Sequence, residues 1–246
     1  MKLSEKQVAM MGVMTTVKFL ATSGGGGRVN VAPILTTCHY KDDLVIFGDF
    51  IMWKTKQNLL ENERAGILVI DEKLNYFNID GIFTGFETKG DAFDFMNASP
   101  MVKYNAYTGI RSAGLIRAES VSPVRTVGKL KIVRELVPSV LARSRMSIKR
   151  VVGEKFERVK ALKTLAYIEN GRPVAVPVPV VRVDGNTMVF RNSTCPGGVF
   201  AAMAVITMDP VTYQVKGTLA REKDVCRLRV EEIYSGGVPL PGRRIS

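Results

Sequence analysis

Apolar and β-branched residues alternate with polar ones along much of the chain, with the two-residue period of β-strands. The alternation runs through Lys18 to Leu35, through Asp42 to Asp49 and through the segment that ends at Gly81. The Gly24–Gly27 run falls between two predicted strands and no helix follows it. It therefore predicts a hairpin loop and not a dinucleotide-binding loop. The pattern as a whole predicts a mainly β protein, with a small antiparallel barrel of Greek-key type and flanking helices.

The strand pattern occurs twice in the chain. The segment KFLATSGGGGRVNVAPIL is echoed by KTLAYIENGRPVAVPVPV, DDLVIFGD is echoed by GNTMVFRN, and NYFNIDG is echoed by VTYQVKG, which ends at Gly217. Two copies of one barrel explain the length of 246 residues as well as the repeat. We expect one barrel in residues 1–124, a helical linker in 125–162 and a second, degenerate barrel with a C-terminal arm in 163–246.

The stretch from Asn30 to Asn58 carries the strongest chemical signal. It predicts a strand over Asn30 to Thr37, a turn at Asp42-Asp43, a strand over Leu44 to Gly48 and a helix that starts near Lys54-Thr55. Free N–H groups at a helix start, the helix dipole, a Lys charge and a Thr hydroxyl together suit a phosphate. A Thr at this place is also an ordinary helix cap, which is the simpler alternative.

Three nearby polar or glycine positions, Asn30, Gly48 and Asn58, could converge on the same ligand. Trp53 is the only tryptophan in the chain and directly precedes Lys54. It is interpreted either as a core aromatic residue or as a stacking group for a flat ligand.

This segment resembles the FMN-binding split-barrel family, which includes pyridoxamine 5′-phosphate oxidases, flavin reductases and small FMN-binding proteins. The family pattern is an Asn-Thr pair on a strand, a Gly-containing loop, His-Lys-Thr and an Asn one turn later. Asn30-Val31, Phe50-Ile51-Met52, Trp53-Lys54-Thr55 and Asn58 match it in that order. The likeness continues through Asn62 to Asp71 and the helix at Asp91 to Met96, and it ends near Val121. Val31, Phe50, Ile51 and Trp53 depart from the family residues.

The resemblance implies non-covalent FMN binding, with the phosphate end held by Lys54, Thr55 and Asn58. It implies that Asn30, Val31 and Ala32 line the ring and the ribityl chain. The remaining positions that the resemblance assigns to the cofactor are Gly48, Phe50, Ile51, Met52 and Trp53. The implied activity is that of an oxidoreductase or flavin reductase that uses a reduced nicotinamide dinucleotide, with the redox chemistry carried by the flavin and no catalytic residue assigned.

The second copy differs at the cradle, because Lys54-Thr55 align with Gly197-Gly198. We therefore expect one phosphate site in each chain. Family members are homodimers with flavin at the subunit interface, so the chain is expected either to form a homodimer or to use its second half as an intrachain pseudo-partner. The C-terminal arm, which contains Arg243 and Arg244, could reach a ligand at such an interface.

Composition indicates a folded cytoplasmic protein, with 46% hydrophobic residues and no apolar run long enough to span a membrane. The three cysteines, Cys38, Cys195 and Cys226, are far apart in sequence, which argues against a disulfide framework and a zinc site. We expect them to be single buried thiols, and His39, the only histidine, to be structural. No metal is expected.

A basic segment separates the two copies. From Arg125 to Lys163 there are twelve Lys and Arg residues against three Glu residues, a net charge of +9 out of +12 for the chain. The segment is predicted to be helical, with breaks at Pro138 and Gly153, and to face the barrel through Ile148 and Val151 to Val152. A solvated helix face is favoured over a surface for an anionic partner, and the scarcity of aromatic residues argues against nucleic acid.

Two further functions are compatible with the same barrel. The chain could carry FMN or electrons without turnover of its own, or it could bind the deazaflavin F420. Some relatives bind haem, which the single histidine makes unattractive here.

Overall fold

The computed structural model describes residues 2–100, 102, 109–128, 132–133, 147–209, 211–236 and 242–245. The N-terminal part of the predicted basic helix, residues 135–146 with Pro138, and most of the C-terminal arm lie outside these ranges. In the described part of the chain, no helix combines the length and the apolar character needed to cross a membrane.

The described residues form two antiparallel sheets of eight strands and four short helices. The helices are α1 (Glu5–Gly12), α2 (Lys54–Glu61), α3 (Asp91–Ala98) and α4 (Arg150–Glu157). The first sheet contains β1 (Val17–Ser23), β2 (Val29–Pro33), β3 (Cys38–Lys41), β4 (Leu44–Asp49), β5 (Arg64–Ile70), β6 (Asn75–Glu87), β7 (Ser112–Val121) and β8 (Arg125–Thr126). The second contains β9 (Leu162–Glu169), β10 (Arg172–Pro177), β11 (Arg182–Asp184), β12 (Thr187–Arg191), β13 (Val199–Ile206), β14 (Thr212–Glu222), β15 (Val225–Ser235) and β16 (Arg243–Arg244).

The two sheets have the same topology, which confirms the mainly β tandem arrangement predicted from the repeat. The strand order β2-β1-β5-β6-β7-β4-β3 in the first half becomes β10-β9-β13-β14-β15-β12-β11 in the second. The registers also match, because Phe19 pairs with Pro33 in one half and Thr164 pairs with Pro177 in the other. Gly81 and Gly217, where the repeated segments end, do not end strands but lie at corresponding β-bulges.

Two predicted boundaries were wrong. The strand expected over Asn30 to Thr37 ends at Pro33, because the chain then turns through a hydrogen bond from Thr37 N–H to the Ile34 carbonyl. The hairpin at Asp42-Asp43 therefore joins β3 to β4, at the opposite edge of the sheet from β2. The predicted break at Gly153 is also absent, since α4 continues through it.

Packing explains why α4 tolerates a glycine. Val152 and Phe156 on either side of Gly153 are fully buried in the core of the second half. Their burial outweighs the cost of about 1 kcal/mol for a glycine inside a helix. Val151, expected to face the barrel together with Val152, is instead 52% exposed.

Each half has its own hydrophobic core, and a third core joins them. The shared cluster takes Phe19, Val31 and Leu68 from the first half and mainly alanines, such as Ala166 and Ala202, from the second. The halves thus pack against each other within one chain through β1, β2 and β5 on one side and β9, β10 and β13 on the other.

Equivalent hydrogen bonds cross this interface in both directions. The Gln214 side-chain amide donates to the Val31 carbonyl, and the Asn78 amide donates to the Ala175 carbonyl at 2.6 Å. Gln214 and Asn78 occupy the same position in their respective halves, as do Val31 and Ala175. The two halves are therefore related as the subunits of a symmetric dimer would be.

All three cysteines are free thiols, as expected, but two of them are in contact with each other. Cys195 and Cys226 are both fully buried, and their sulfur atoms lie 2.7 Å apart. Their distance in sequence concealed this contact, because the β12–β13 loop carries Cys195 back onto the start of β15. Cys38 is a separate, half-buried thiol in the first half.

Candidate functional site

The predicted cradle lies at the first turn of α2, as expected from the sequence. The helix starts at Lys54 after Trp53, whose side chain makes no capping hydrogen bond. Thr55 lies inside the helix and not at its cap, so the interpretation of Thr55 as an ordinary N-cap was wrong. Its buried hydroxyl accepts a hydrogen bond of 3.2 Å from the Asn30 amide.

Asn30, Thr55 and Asn58 do come together between α2 and the β1–β2 hairpin. The Asn58 amide donates to the Thr22 hydroxyl at 3.1 Å, beside the bond between Asn30 and Thr55. Because these groups are largely buried and bonded within their own half, they fix α2 on the hairpin. Lys54 precedes them in the helix and is half-buried.

Other positions that the resemblance assigned to the cofactor are occupied in packing. Val31 is fully buried in the core shared by the halves, while Ala32 beside it is half-buried. At Gly48 a side chain would collide with Ile110, which belongs to a small apolar cluster between β4 and α3. This is the face of β4 that α3 covers, and α2 does not cover it. The loop residue Phe50 packs against the same apolar cluster.

The rest of the loop before α2 is more open. Met52 packs on the core of the first half, and Ile51 is 37% exposed. Trp53 is 77% exposed, so the interpretation of Trp53 as a core aromatic residue was wrong. Its indole stands at the surface next to Lys54.

Lys54 reaches across the interface into a group of charged residues from the second half. Its ammonium nitrogen lies 3.5 Å from the centroid of the Tyr234 ring, and that of Lys216 lies 5.3 Å from the same centroid. Contacts of this kind between a cation and an aromatic face are attractive. The Tyr234 hydroxyl in turn donates to the Glu232 carboxylate at 2.9 Å.

Two arginines complete this group. Arg28, just before β2, pairs with Glu232 at 3.2 Å, and its guanidinium lies 4.4 Å from the centroid of the Phe200 ring. Arg244 of β16 pairs with the same carboxylate at 3.7 Å, so the C-terminal arm does return to this interface. We call the set of Arg28, Lys54, Lys216, Glu232, Tyr234 and Arg244 the interface cluster.

The interface cluster carries more positive than negative charge. Four basic side chains surround one carboxylate, with Lys216, Glu232 and Tyr234 buried and Arg28 and Arg244 exposed. Burial, with the nearby charge of Lys54, lowers the pKa of Lys216 to about 7. Burial also lowers the pKa of Lys54, which Glu232 partly offsets. An anion in contact with these amines would favour their charged forms.

Burial and the hydrogen bond to Glu232 raise the pKa of Tyr234 to about 12. The phenol is therefore neutral at pH 7. It acts as a hydrogen-bond donor that holds Glu232 in place beside the two arginines.

The corresponding place on the other side of the pseudo-twofold axis has different charges. Lys216 pairs with Glu232 across β14 and β15, and the equivalent pair across β6 and β7 is Asp80 with Ser120. By the same register Tyr234 corresponds to Ser122, and Gly197-Gly198 stand where the first half has Lys54-Thr55. Among the residues that the structure describes, the side of the interface that holds Lys54 and Lys216 is therefore the one rich in cations.

The sequence did not identify Lys216, Glu232 or Tyr234 as site residues. It did not identify Arg28 either. A signal for one of them was present in the repeat, because NIDG in the first copy becomes QVKG in the second and exchanges Asp80 for Lys216. That charge reversal between otherwise similar strands marks the asymmetric side of the interface.

Known structures resemble one half of the chain at a time. HupZ from Group A Streptococcus is 16% identical, covers 51% of this chain and 99% of its own, and has a TM-score of 0.44. An FMN-binding protein from Syntrophomonas wolfei is 20% identical, with 50% and 87% of the two chains covered and a TM-score of 0.43. An F420 reductase is 14% identical, with 49% and 98% covered and a TM-score of 0.38.

The strand order and register repeated in the two sheets give the chain the tandem split-barrel fold predicted from its sequence. No protein-family model matches the sequence, and no curated protein matches it.

Proposed function

We propose that the chain binds one FMN at the interface between its halves, with the phosphate end at the interface cluster. The observation that carries this proposal is the convergence of Lys54, at a helix start, with three cations around a single carboxylate. Amines with lowered pKa values beside exposed arginines suit a dianionic phosphate, which would supply the missing negative charge.

Several residues of the interface cluster would bind the phosphate, each from a different side. Lys54 and Arg28 would neutralise the phosphate, Arg244 would cover it from the C-terminal arm, and Lys216 would add charge from the inner wall. Bound flavin would supply the hydride chemistry. The exposed Trp53 indole stands beside Lys54, where it suits contact with the flat part of the ligand.

The activity that we propose for this site is flavin reduction or a related oxidoreductase reaction, with a reduced nicotinamide dinucleotide as donor. Steady-state oxidation of that donor with free flavin or oxygen as acceptor tests it. A protein that binds FMN but does not oxidise the donor would instead be an FMN or electron carrier. Binding of F420 in preference to FMN would replace the cofactor and keep the site.

The first experiment is a titration of ligand-free protein with FMN, followed through the fluorescence of the single tryptophan. We expect quenching that saturates at one FMN per chain, because Trp53 adjoins the site. Lys54→Ala should weaken binding by roughly 10- to 100-fold, since it removes a charge-assisted contact of about 1.5–3 kcal/mol. The control is Lys73→Ala, at an exposed position in the β5–β6 turn.

The outcomes separate the site from the function. Saturable binding that Lys54→Ala leaves unchanged would overturn the site assignment, and failure to bind any FMN would overturn the function. Binding of two FMN molecules per chain would contradict the charge asymmetry between the two interface positions.

A further inference from the structure

Cys195 and Cys226 form a buried dithiol in the core of the second half, and neither belongs to the interface cluster. Their sulfur atoms are 2.7 Å apart and neither residue is exposed. A disulfide requires a sulfur separation of about 2.05 Å, so a small side-chain movement would suffice to join them. Cys38 belongs to the other half and has no part in this pair.

Asn192 holds the two cysteines together. Its side-chain oxygen accepts hydrogen bonds from the N–H groups of Thr194 and Cys195, at 2.8 and 3.0 Å. Its carbonyl oxygen accepts from the Cys226 thiol at 3.3 Å. Two of these bonds hold the shape of the loop that carries Cys195, and the third joins that loop to Cys226 at the start of β15.

The pair also has the electronic asymmetry of a reactive dithiol. The hydrogen bond from Cys226 lowers the pKa of Cys195, and the same contact raises the pKa of Cys226. The charge of Arg221, which donates to the Cys195 carbonyl at 2.7 Å, further lowers the pKa of Cys195. The hydrogen-bond geometry points the same way, because the Cys226 thiol lies closer to the Asn192 carbonyl oxygen, at 3.3 Å, than the Cys195 thiol does, at 3.8 Å. Cys226 is thus the better placed of the two to keep its proton, and Cys195 adjoins the Arg221 guanidinium. These contacts favour Cys195 as the nucleophile and Cys226 as the resolving thiol.

We propose that Cys195 and Cys226 are a reversible oxidation site that forms an intramolecular disulfide with a hydroperoxide as oxidant. The Cys195 thiolate attacks one peroxide oxygen, the O–O bond breaks, and a sulfenic acid and an alcohol or water form. The Cys226 sulfur then attacks the Cys195 sulfur and releases water as the S–S bond forms. In total the two thiols lose two protons and two electrons, which reduce the peroxide to water and an alcohol or a second water. A dithiol reductant reverses the change.

The bond would tie together two parts of the second barrel. Cys195 lies in the loop that stands where the first half has its cradle, and Cys226 begins the strand that carries Glu232 and Tyr234. The crosslink would close a loop of 31 residues across the β13–β14 hairpin. It would therefore fix the β12–β13 loop against β15 and raise the resistance of the second half to unfolding.

The test uses the full chain with Cys38→Ser, which leaves the dithiol as the only source of thiols. After treatment with one equivalent of hydrogen peroxide, we expect the intact mass to fall by that of two hydrogens and both free thiols to disappear under denaturing conditions. Proteolysis without reductant should give one linked peptide that contains Cys195 and Cys226. Dithiothreitol should restore both thiols.

Two results would overturn the proposal. One is a mass gain from added oxygen with no linked peptide, which would mean that the thiols oxidise separately. The other is retention of both thiols after treatment, with the peroxide consumed elsewhere or not at all. The linked peptide is mapped in a chain with both cysteines present, so the test does not depend on a core cysteine variant that folds poorly. Cys226→Ser, where it folds, should retain oxygen on Cys195 and form no crosslink.

Discussion

We expect the ligand-free protein to become more stable as pH rises from 7 to 9, because it buries three lysines. Burial lowers the pKa of Lys216 to about 7 and the pKa values of Lys18 and Lys163 to about 8, from 10.5. All three are at most 5% exposed. In this range the unfolded chain holds protons that the folded chain has released, so the free energy of unfolding increases with pH.

The magnitude follows from the three shifts. Integration of proton release between pH 7 and pH 9 gives about 2.3 kcal/mol for Lys216 and about 1.4 kcal/mol each for Lys18 and Lys163. The total is about 5 kcal/mol in favour of the folded state. Above pH 9 the trend should weaken, because burial raises the pKa of Cys38 to about 11 and of Tyr167 to about 12, and such groups oppose it.

Urea unfolding followed by circular dichroism at pH 7, 8 and 9 would measure this trend. Lys216→Met should remove the contribution of Lys216, so the increase across the range should fall to about 3 kcal/mol. The control is Lys73→Met, at an exposed position whose removal should leave the trend unchanged. A stability that stays flat or falls between pH 7 and 9 would refute the inference that these amines are buried without adequate counter-charges.

Further predictions compare a substitution with a matched control. Arg28→Met should weaken FMN binding roughly fivefold, because an exposed charge contributes about 1 kcal/mol. Arg172→Met, at the equivalent position in the second half, should leave FMN binding unchanged. Equal losses of affinity in an FMN titration would contradict a single site. Gly66→Ala should destabilise the chain by at least about 1 kcal/mol in urea unfolding, because its methyl group would collide with the backbone of the second half. Gly12→Ala, with open space around it, should not. Ser4→Ala should cost about 1 kcal/mol by removing the capping box of α1, which the same unfolding assay would detect; no loss would mean that this helix is held by tertiary contacts alone.

The repeat in the sequence predicted the fold because the alternation of apolar and polar residues in a strand reflects which of its faces is buried. Alternation predicted which stretches are strands, and the correspondence of the two copies predicted two equivalent units, as the equal registers at Pro33 and Pro177 show. One error arose where tertiary contacts overrode local preference, because Gly153 stays in a helix whose neighbouring residues are buried. The other arose from a local turn that was not recognised, because the chain turns between Ile34 and Thr37 directly after Pro33.

The candidate site was predictable only in part, because it is assembled from two distant segments. The start of α2 at Lys54 followed from a local motif. Lys216 and Tyr234 come from strands more than 150 residues away, which only the packing of the halves brings to Lys54. No local pattern distinguishes a strand lysine that faces another barrel from one that faces solvent. The contact of Cys195 with Cys226 was missed for the same reason.

Covalent linkage of the two barrels removes a restriction that identical subunits impose. In a symmetric dimer every substitution appears twice, so a charge that improves one interface position also changes the other. Here Lys216 and Asp80 occupy equivalent positions with opposite charges, a combination that a dimer of identical barrels could not hold. If a first half expressed alone paired with a second copy of itself, Asp80 of one copy would lie opposite Lys54 of the other. The cationic surface would then be lost even if the barrels still associated.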